Sequence, residues 1–574
     1  MQVFARRDLA ANAPAQAEEA LLLEGSWPPS AGSPAHWSLD EAIDERHGWV
    51  DRTAADLAAR LGDAANGEIA FTYLNALSLR YYFVKLLRVV AFFDQVWRPE
   101  TLPAIELHVA PGRDEQYVDL FAELARVHGF ALKVCSHATP AEATPEPKRA
   151  ARWRRWAAQA DGTLQGAPEP GAEDRIVLCG NPHVLDPVCR ALVGRGCQVW
   201  WLYEQFAVRS WWRWRRAGVG QLVCDRRAGA PYRFSDGGPA EKLMVRGVDL
   251  AGPVERWLAG QAARIGARQS RLVEQIDDHF RTVRPTGLVL DEDATPFKRA
   301  AVALARQHQA RSLVVQHGAP CGSFGFVPLA ADELCVWGPS SRDQLLQWGA
   351  APERVRVTGW PRFEQRLAKN PPTMRPRRKA GATNILLLAT LPPSDGRPDT
   401  AAFHLTRRTH ETMLDMACAA VAKLPRAKLS IKLHPRCRDE QVFRQALARH
   451  PRLRGEIVRS KRLDRLVAQS DCVLSCASTA GIEAALAGAP VVQLLPRGSG
   501  DVLPAERWGL LGSAREPDEL ETLLAAALLR GRRSPAPCEQ VLGERNLGDP
   551  RSAAERIADV LLESDLAAAL AAEA

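Results

Sequence analysis

The stretch Leu429-Ser430-Ile431-Lys432-Leu433 runs straight into His434-Pro435-Arg436, and a second one, Ser470-Asp471-Cys472-Val473-Leu474-Ser475, runs into Cys476-Ala477-Ser478-Thr479-Ala480-Gly481-Ile482-Glu483-Ala484-Ala485. Gly488-Ala489-Pro490-Val491-Val492 follows. Each begins as a short, largely apolar run, the pattern of a strand in a parallel sheet covered by helices. The second passes into a helical pattern that starts near Gly481, with Ser478 and Thr479 between strand end and helix. A helix N-terminus offers unpaired N–H donors and about half a positive charge, which favours an anion. Ser478 and Thr479 add hydroxyls, Gly481 lets a phosphate approach the backbone, and His434 leaves a neighbouring strand end. Glu483, read within the first turn, either bonds ribose hydroxyls or complements the helix dipole. Taken singly, Ser-Thr before a helix is an N-cap and His-Pro a turn; together they predict a phosphate site.

The same alternation extends outward in both directions. Strands are predicted at Ile385–Leu388 and Pro490–Leu494 on either side. Upstream, a Pro-rich basic break, Asn370 to Lys379, separates this series from an earlier one with strands at Arg175–Cys179, Gln198–Leu202, Gly287–Leu290, Ser312–Val315, Glu333–Val336 and Val355–Val357, and a helix over Phe297–Gln307. Short strands alternating with helices predict doubly wound parallel sheets, whose ligands bind at the carboxyl ends of the strands. Before them lies a weaker rhythm: a strand at Glu68–Tyr73, a helix over Leu77–Trp97, a strand at Ile105–Val109, a helix over Tyr117–His128 and a strand at Ala131–Val134. The expected division is an accessory α/β region (1–150), an acceptor lobe (174–365), a basic linker (366–383), a donor lobe (384–530) and a loop with closing helix (531–574), the helix falling at Ser552–Leu562.

Bulk composition sets limits. The 574 residues exceed what one core serves. An apolar share of 46% with 25% charged residues is ordinary for globular chains. A net charge of +8, from 75 basic against 67 acidic side chains, suits anionic ligands without the like-charged blocks of a nucleic-acid-binding tail. The start has no apolar segment behind its arginines and no run of about 18 apolar residues occurs, so neither a secretory signal nor a spanning helix is expected. Twelve scattered cysteines without Cys-x-x-Cys fit a reducing cytoplasm and no structural zinc. Tryptophan alternates with arginine at Arg152–Trp156 and Arg209–Arg216. This pattern suits either contact with the anionic inner face of the plasma membrane or a basic surface helix with its tryptophans turned inward.

The combination Lys432-Leu433-His434-Pro435, Ser470-Asp471, Ser478-Thr479, Glu483-Ala484 and Gly488-Ala489-Pro490 resembles the C-terminal half of GT-B glycosyltransferases of bacterial surface-polysaccharide synthesis. Among these are sialyl-, polysialyl- and Kdo-transferases with His-Pro and Ser-Ser/Thr motifs, and the teichoic-acid glycerophosphotransferases. Val314-Val315-Gln316-His317-Gly318, Asp332 to Gly338 and Val357 to Arg362 resemble the same families and the UDP-N-acetylglucosamine 2-epimerases. The resemblance implies two facing Rossmann-like lobes. It implies a CMP-, CDP- or UDP-linked sugar held by His434, Pro435, Ser478 and Thr479, and a glycan or lipid-linked glycan acceptor. Lys432 and Arg436 are candidate cations beside the phosphates, and no cofactor or metal is implied. An inverting transferase needs a base for the acceptor hydroxyl. The sialyltransferase relatives place a carboxylate near Asp291 and Asp293, whereas the glycerophosphotransferase relatives favour a histidine at a position like His317; Asp291 is placed slightly ahead of Asp293 and His317. Asp291-Glu292-Asp293 also has the Asp-x-Asp form of manganese sites, a pattern too common to carry weight. Polyol-phosphate transfer, sugar-nucleotide 2-epimerisation and a non-catalytic scaffold remain as alternatives.

Overall fold

The computed structural model describes residues 1–5, 9, 19–23, 36–39, 47–62, 69–97, 104–111, 114–137, 174–204, 214, 217–224, 233–234, 242–369, 383–392, 407–437, 440–476, 478–497, 503–531, 539–542 and 549–572. Three parallel sheets organise them. The first contains β1 (Gln2–Phe4), β2 (Ala20–Leu22), β3 (His36–Ser38), β4 (Ile105–Val109) and β5 (Leu132–Ser136) in the order β3-β2-β1-β4-β5. The second contains β6 (Arg175–Cys179), β7 (Gln198–Tyr203), β8 (Gly220–Val223), β11 (Gly287–Leu290), β12 (Arg311–Val315), β13 (Glu333–Val336) and β14 (Val355–Val357), in the order β14-β13-β12-β11-β6-β7-β8. A small antiparallel pair, β9 (Met244–Val245) and β10 (Val248–Asp249), lies between β8 and β11 in the chain. The third sheet contains β15 (Asn384–Leu388), β16 (Lys428–Lys432), β17 (Arg454–Val458), β18 (Cys472–Ser475), β19 (Val491–Leu494) and β20 (Gly512–Ala514), in the order β17-β16-β15-β18-β19-β20.

In each sheet the chain starts at an inner strand, winds outward one way, then returns to the other side of its starting strand. The reversals fall between β6 and β11 and between β15 and β18, so crevices open at the carboxyl ends there. The central strands read as unbroken apolar runs because helices cover both faces: β11 and β18 are buried at every position. The helix Pro296–Gln307 illustrates the covering. Proline at its first turn fits a position whose N–H has no helical partner, and Phe297, Ala300, Ala301, Leu304 and Ala305 form the buried stripe.

The second and third sheets meet through an apolar cluster that includes Ala319, Trp337, Trp360 and Phe363 from one side and Ile482, Leu486, Leu495 and Trp508 from the other. Trp337 and Trp360 stack with centroids 3.7 Å apart. The closing helix, Ala553–Ala572, packs Ala554, Ile557, Ala558 and Leu561 into the core of the second sheet beside Leu185, Val188 and Trp201. Arg556 pins it, donating to the Thr358 carbonyl at 2.8 Å and to Glu364 at 3.0 Å. Two doubly wound sheets whose carboxyl ends approach across a cleft constitute the GT-B arrangement, with the first sheet as an added α/β unit.

Several expectations change. Residues Phe71–Leu74 are helical, not extended; all four are buried, and a short run apolar on every side has no period by which strand and helix differ. The strands β1, β2, β3, β8, β17 and β20 are additions, none longer than five residues. Arg152–Trp156 lies outside the described residues. Of Arg209–Arg216 only Trp214 is described; it is 2% exposed and stacks on Trp201, the inward packing of the non-membrane reading. No helix among the described residues is long and apolar enough to cross a membrane.

Candidate functional site

The third sheet supplies one wall. β18 ends at Ser475, and the helix Thr479–Leu486 begins four residues later with Ser478 as its N-cap. The Ser478 hydroxyl accepts from the Gly481 amide at 3.3 Å and lies 3.0 Å from the Ser475 hydroxyl. No described residue accepts from the amides of Thr479 or Ala480, the first two of the helix, so both remain as donors for an anion. His434 follows β16 in a turn. Its Nδ1 accepts from the Arg436 amide at 3.2 Å, which fixes Nε2 as the protonated nitrogen. Partial burial, and then the Arg436 charge, hold its pKa below the ordinary imidazole value.

The second sheet supplies the opposite wall. His317 follows β12, exposed, with Phe326 stacked on its ring at 5.2 Å. Its Nδ1 lies 2.9 Å from the Asp291 carbonyl oxygen, which can only accept. Nδ1 therefore carries the proton and Nε2 presents a lone pair that no described residue engages. The walls touch beside this ring: the Ala319 amide donates to the Thr479 hydroxyl at 2.9 Å. A Cβ on Gly318 would stand 3.3 Å from that same hydroxyl, so glycine permits the close approach.

The two acids fall differently from the expectation. Asp291 is 6% exposed, bonded to Lys298 Nζ at 2.5 Å and accepting from the Asn181 amide at 3.0 Å. Asp293 is 2% exposed and accepts from the amides of Ala330 at 2.5 Å and Ala331 at 2.8 Å. Burial raises its pKa despite these bonds. Asp291 closes the β6–β11 crevice and Asp293 ties down the loop before β13, whereas His317 stays open. Lys298, which sequence reasoning passed over, also bonds Glu292 at 2.6 Å. Burial alone would lower the Lys298 pKa, but Glu292 and Asp291 carry it upward. Its signal was the place itself, one turn into a helix that follows a strand and three acids.

Other predicted residues also move. Gly481 does not open the backbone to a phosphate: its amide is capped by Ser478, and a Cβ there would stand 2.5 Å from the Ser475 hydroxyl. The glycine is a packing requirement between helix and strand. Glu483 is the fifth helical residue, because the helix starts at Thr479 rather than near Gly481; it is 8% exposed and beyond the first turn. Lys432 donates to the Arg459 carbonyl, toward β17 and away from the β15–β18 crevice, and burial lowers its pKa. Pro435 and Arg436 are exposed in the turn. Among the described residues one group, Glu106, His108 and Cys135, brings three metal-capable atoms within 4.8 Å of one another, on the first sheet. The described cysteines are free thiols.

No protein family matches the chain, and no curated protein matches it in sequence. Among solved structures it is similar to the UDP-GlcNAc 2-epimerase from Neisseria meningitidis bound to UDP-GlcNAc, at 13% identity and TM-score 0.42 over 68% of this chain and 100% of that one. It is similar to MurG from Acinetobacter baumannii, at 14% identity and TM-score 0.37 over 68% of this chain and 99% of that one. The wall teichoic acid polymerase TagF follows at 11% identity and TM-score 0.33 over 80% of this chain and 99% of that one. Likeness at this level carries no argument about activity; the fold rests on the strand order above.

Proposed function

We propose that the chain is a nucleotide-sugar-dependent glycosyltransferase of cell-surface polysaccharide assembly. The third sheet holds the nucleotide and the second holds a glycan or lipid-linked glycan acceptor. One observation carries this reading: His317, whose Nδ1–H donates to the Asp291 carbonyl and whose Nε2 no described residue engages, stands across a cleft from a capped helix N-terminus. The amides of Thr479 and Ala480 and the Nε2–H of His434 offset the donor's phosphate charge as the nucleotide leaves. His317 Nε2 takes the acceptor proton as the hydroxyl attacks the anomeric carbon, and the Asp291 carbonyl, accepting from Nδ1–H, stabilises the imidazolium that forms. A single displacement of this kind inverts the anomeric centre. The phosphate charge is met by protein groups, so transfer is expected to persist in EDTA. An open histidine in place of a carboxylate also suits polyol-phosphate transfer, which product analysis separates from sugar transfer.

The test is a thermal-shift panel of CMP, CDP, UDP, GDP and ADP, followed by turnover with the sugar nucleotides of whichever class binds. His317→Gln should keep the nucleotide shift and lose about 10²–10⁴-fold in kcat. His434→Ala and Ser478→Ala should lose the shift. A chain that binds none of the nucleotides, or a H317Q variant with full turnover, removes the reading.

A further inference from the structure

On the far side of Phe326 from His317, the first α/β unit and the second sheet enclose a cavity of about 380 Å³, within the size range of small-ligand pockets. Among the described residues four arginines line it, Arg80 from the helix Ala76–Ala91, Arg299 and Arg306 from the helix Pro296–Gln307, and Arg354 before β14, and no carboxylate does. None of His317, His434, Ser478 or Thr479 belongs to the lining.

No described carboxylate is ion-paired with any of these four guanidinium groups; Asp51 and Asp56 act on Arg80, and Asp293 on Arg299, only through space. Arg80 is 3% exposed, donates to the Val327 carbonyl at 2.8 Å and to the Ser323 hydroxyl, and leaves Nε buried without a partner. Arg306 donates to the Ala330 carbonyl at 3.1 Å, and Arg354 to the Asp332 carbonyl at 2.9 Å and the Leu329 carbonyl at 3.2 Å. These partners are backbone dipoles, not counter-charges. Arg299 is 6% exposed, lies 4.2 Å over the Tyr73 ring, and has no hydrogen bond to any described residue; its Nε is buried. The Tyr73 hydroxyl is buried and unpartnered too. The nearby carboxylate of Asp293 spends one oxygen on the Ala330 and Ala331 amides, and that of Asp332 bonds Ser312. A buried guanidinium without a partner is expensive, and its planar fork matches the oxygens of a phosphate.

We propose that this cavity binds a small phosphate-bearing anion, with Arg299 and Arg306 as its principal ligands and the Tyr73 hydroxyl as a further donor. Its lining holds none of the groups assigned to the transferase reaction, although Phe326 also stacks on His317. Free phosphate, pyrophosphate and a sugar phosphate share the recognised chemistry, and the apolar wall from Tyr73 and Phe326 leaves room for an organic group beside it.

The experiment is titration of the full-length chain with inorganic phosphate, pyrophosphate and glucose 1-phosphate, read by calorimetry and by melting temperature. The same titrations run on R299Q, R306Q and the double variant H434A/S478A. The expected result is saturable binding of at least one of the three, weakened about tenfold or more in each arginine variant and unchanged in H434A/S478A. Tighter binding of glucose 1-phosphate than of phosphate would identify an organic phosphate as the occupant; the reverse order would identify the free anion. R299Q and R306Q are read separately, so that a variant failing to fold leaves the other to decide. If both fail, protection of Arg299 from an arginine-modifying reagent by the bound anion, mapped by mass spectrometry on the unmodified chain, decides instead. Absence of saturable binding at millimolar anion, or binding that survives in the arginine variants and disappears in H434A/S478A, overturns the proposal.

Discussion

Replacing Gly481 by alanine tests the packing account of the helix Thr479–Leu486 through the sign of the effect. At an uncrowded helical position, alanine for glycine stabilises a protein by about 0.4–1 kcal/mol, chiefly by restricting the unfolded chain. Here the added methyl would sit 2.5 Å from Ser475 Oγ and 2.9 Å from Ser475 Cβ. Ser475 is 3% exposed at the end of a strand paired with β15 and β19, so its Cβ cannot swing aside. The hydroxyl can rotate only by leaving Ser478 Oγ. Overpacking of this kind costs about 1–3 kcal/mol. Subtracting the alanine gain leaves a net loss of up to about 2.6 kcal/mol, the strain outweighing the chain-entropy term. Urea denaturation of wild type and G481A, with equal slopes, would give the difference directly. The double variant G481A/S475G removes both crowded atoms and should recover most of the loss. A G481A protein more stable than wild type would refute the reasoning, since only an uncrowded glycine can behave so.

Three further outcomes follow from contacts described above. Thr479→Val keeps the shape but leaves the Ala319 amide without its acceptor at a residue 7% exposed, and should cost about 1–3 kcal/mol in denaturation. Arg556→Met breaks the charged bonds to Thr358 and Glu364 and should lower stability by about 1.5–3 kcal/mol, with the closing helix gaining hydrogen exchange first. Burial and Arg436 depress the His434 pKa, so the folded state binds that proton less readily than the unfolded chain. Its contribution is whole above about pH 6.5 and declines as pH falls toward the folded value, a slope that His434→Gln should abolish in melting curves; identical slopes in the two proteins would contradict it.

The second and third sheets were legible because parallel strands buried on both faces leave short apolar runs, and those at Gly287–Leu290 and Cys472–Ser475 belong to a regular alternation with helical patterns. The first sheet was legible only at β4 and β5, since β1, β2 and β3 have three residues each, too few for any period to emerge. At the site, residue type predicted location but not orientation. Ser478, His434 and His317 were found because turns after strand ends are visible in sequence. The inward turn of Asp291 toward Lys298 depends on a residue seven positions later, and that of Asp293 on amides 37 and 38 positions away. Such pairings are properties of the assembled loop. Gly481 was misassigned for a related reason: sequence registers a missing side chain, whereas only coordinates reveal which neighbour fills its place.

The docking of Ile557 and Leu561 against Leu185 and Trp201 has a consequence for biosynthesis. The second sheet is translated well before the third, yet one side of its core is covered by a helix made after both. On the ribosome it must wait, partly uncovered, while some two hundred residues of the third sheet and its connections emerge, an interval of about 10–40 seconds at ordinary elongation rates. The third sheet depends only on the helix Pro517–Arg530, which follows β20 directly and packs Leu520, Leu524 and Ala527 into its core. The lobe made later is therefore the one equipped to fold first, and it hands its neighbour the piece needed to finish.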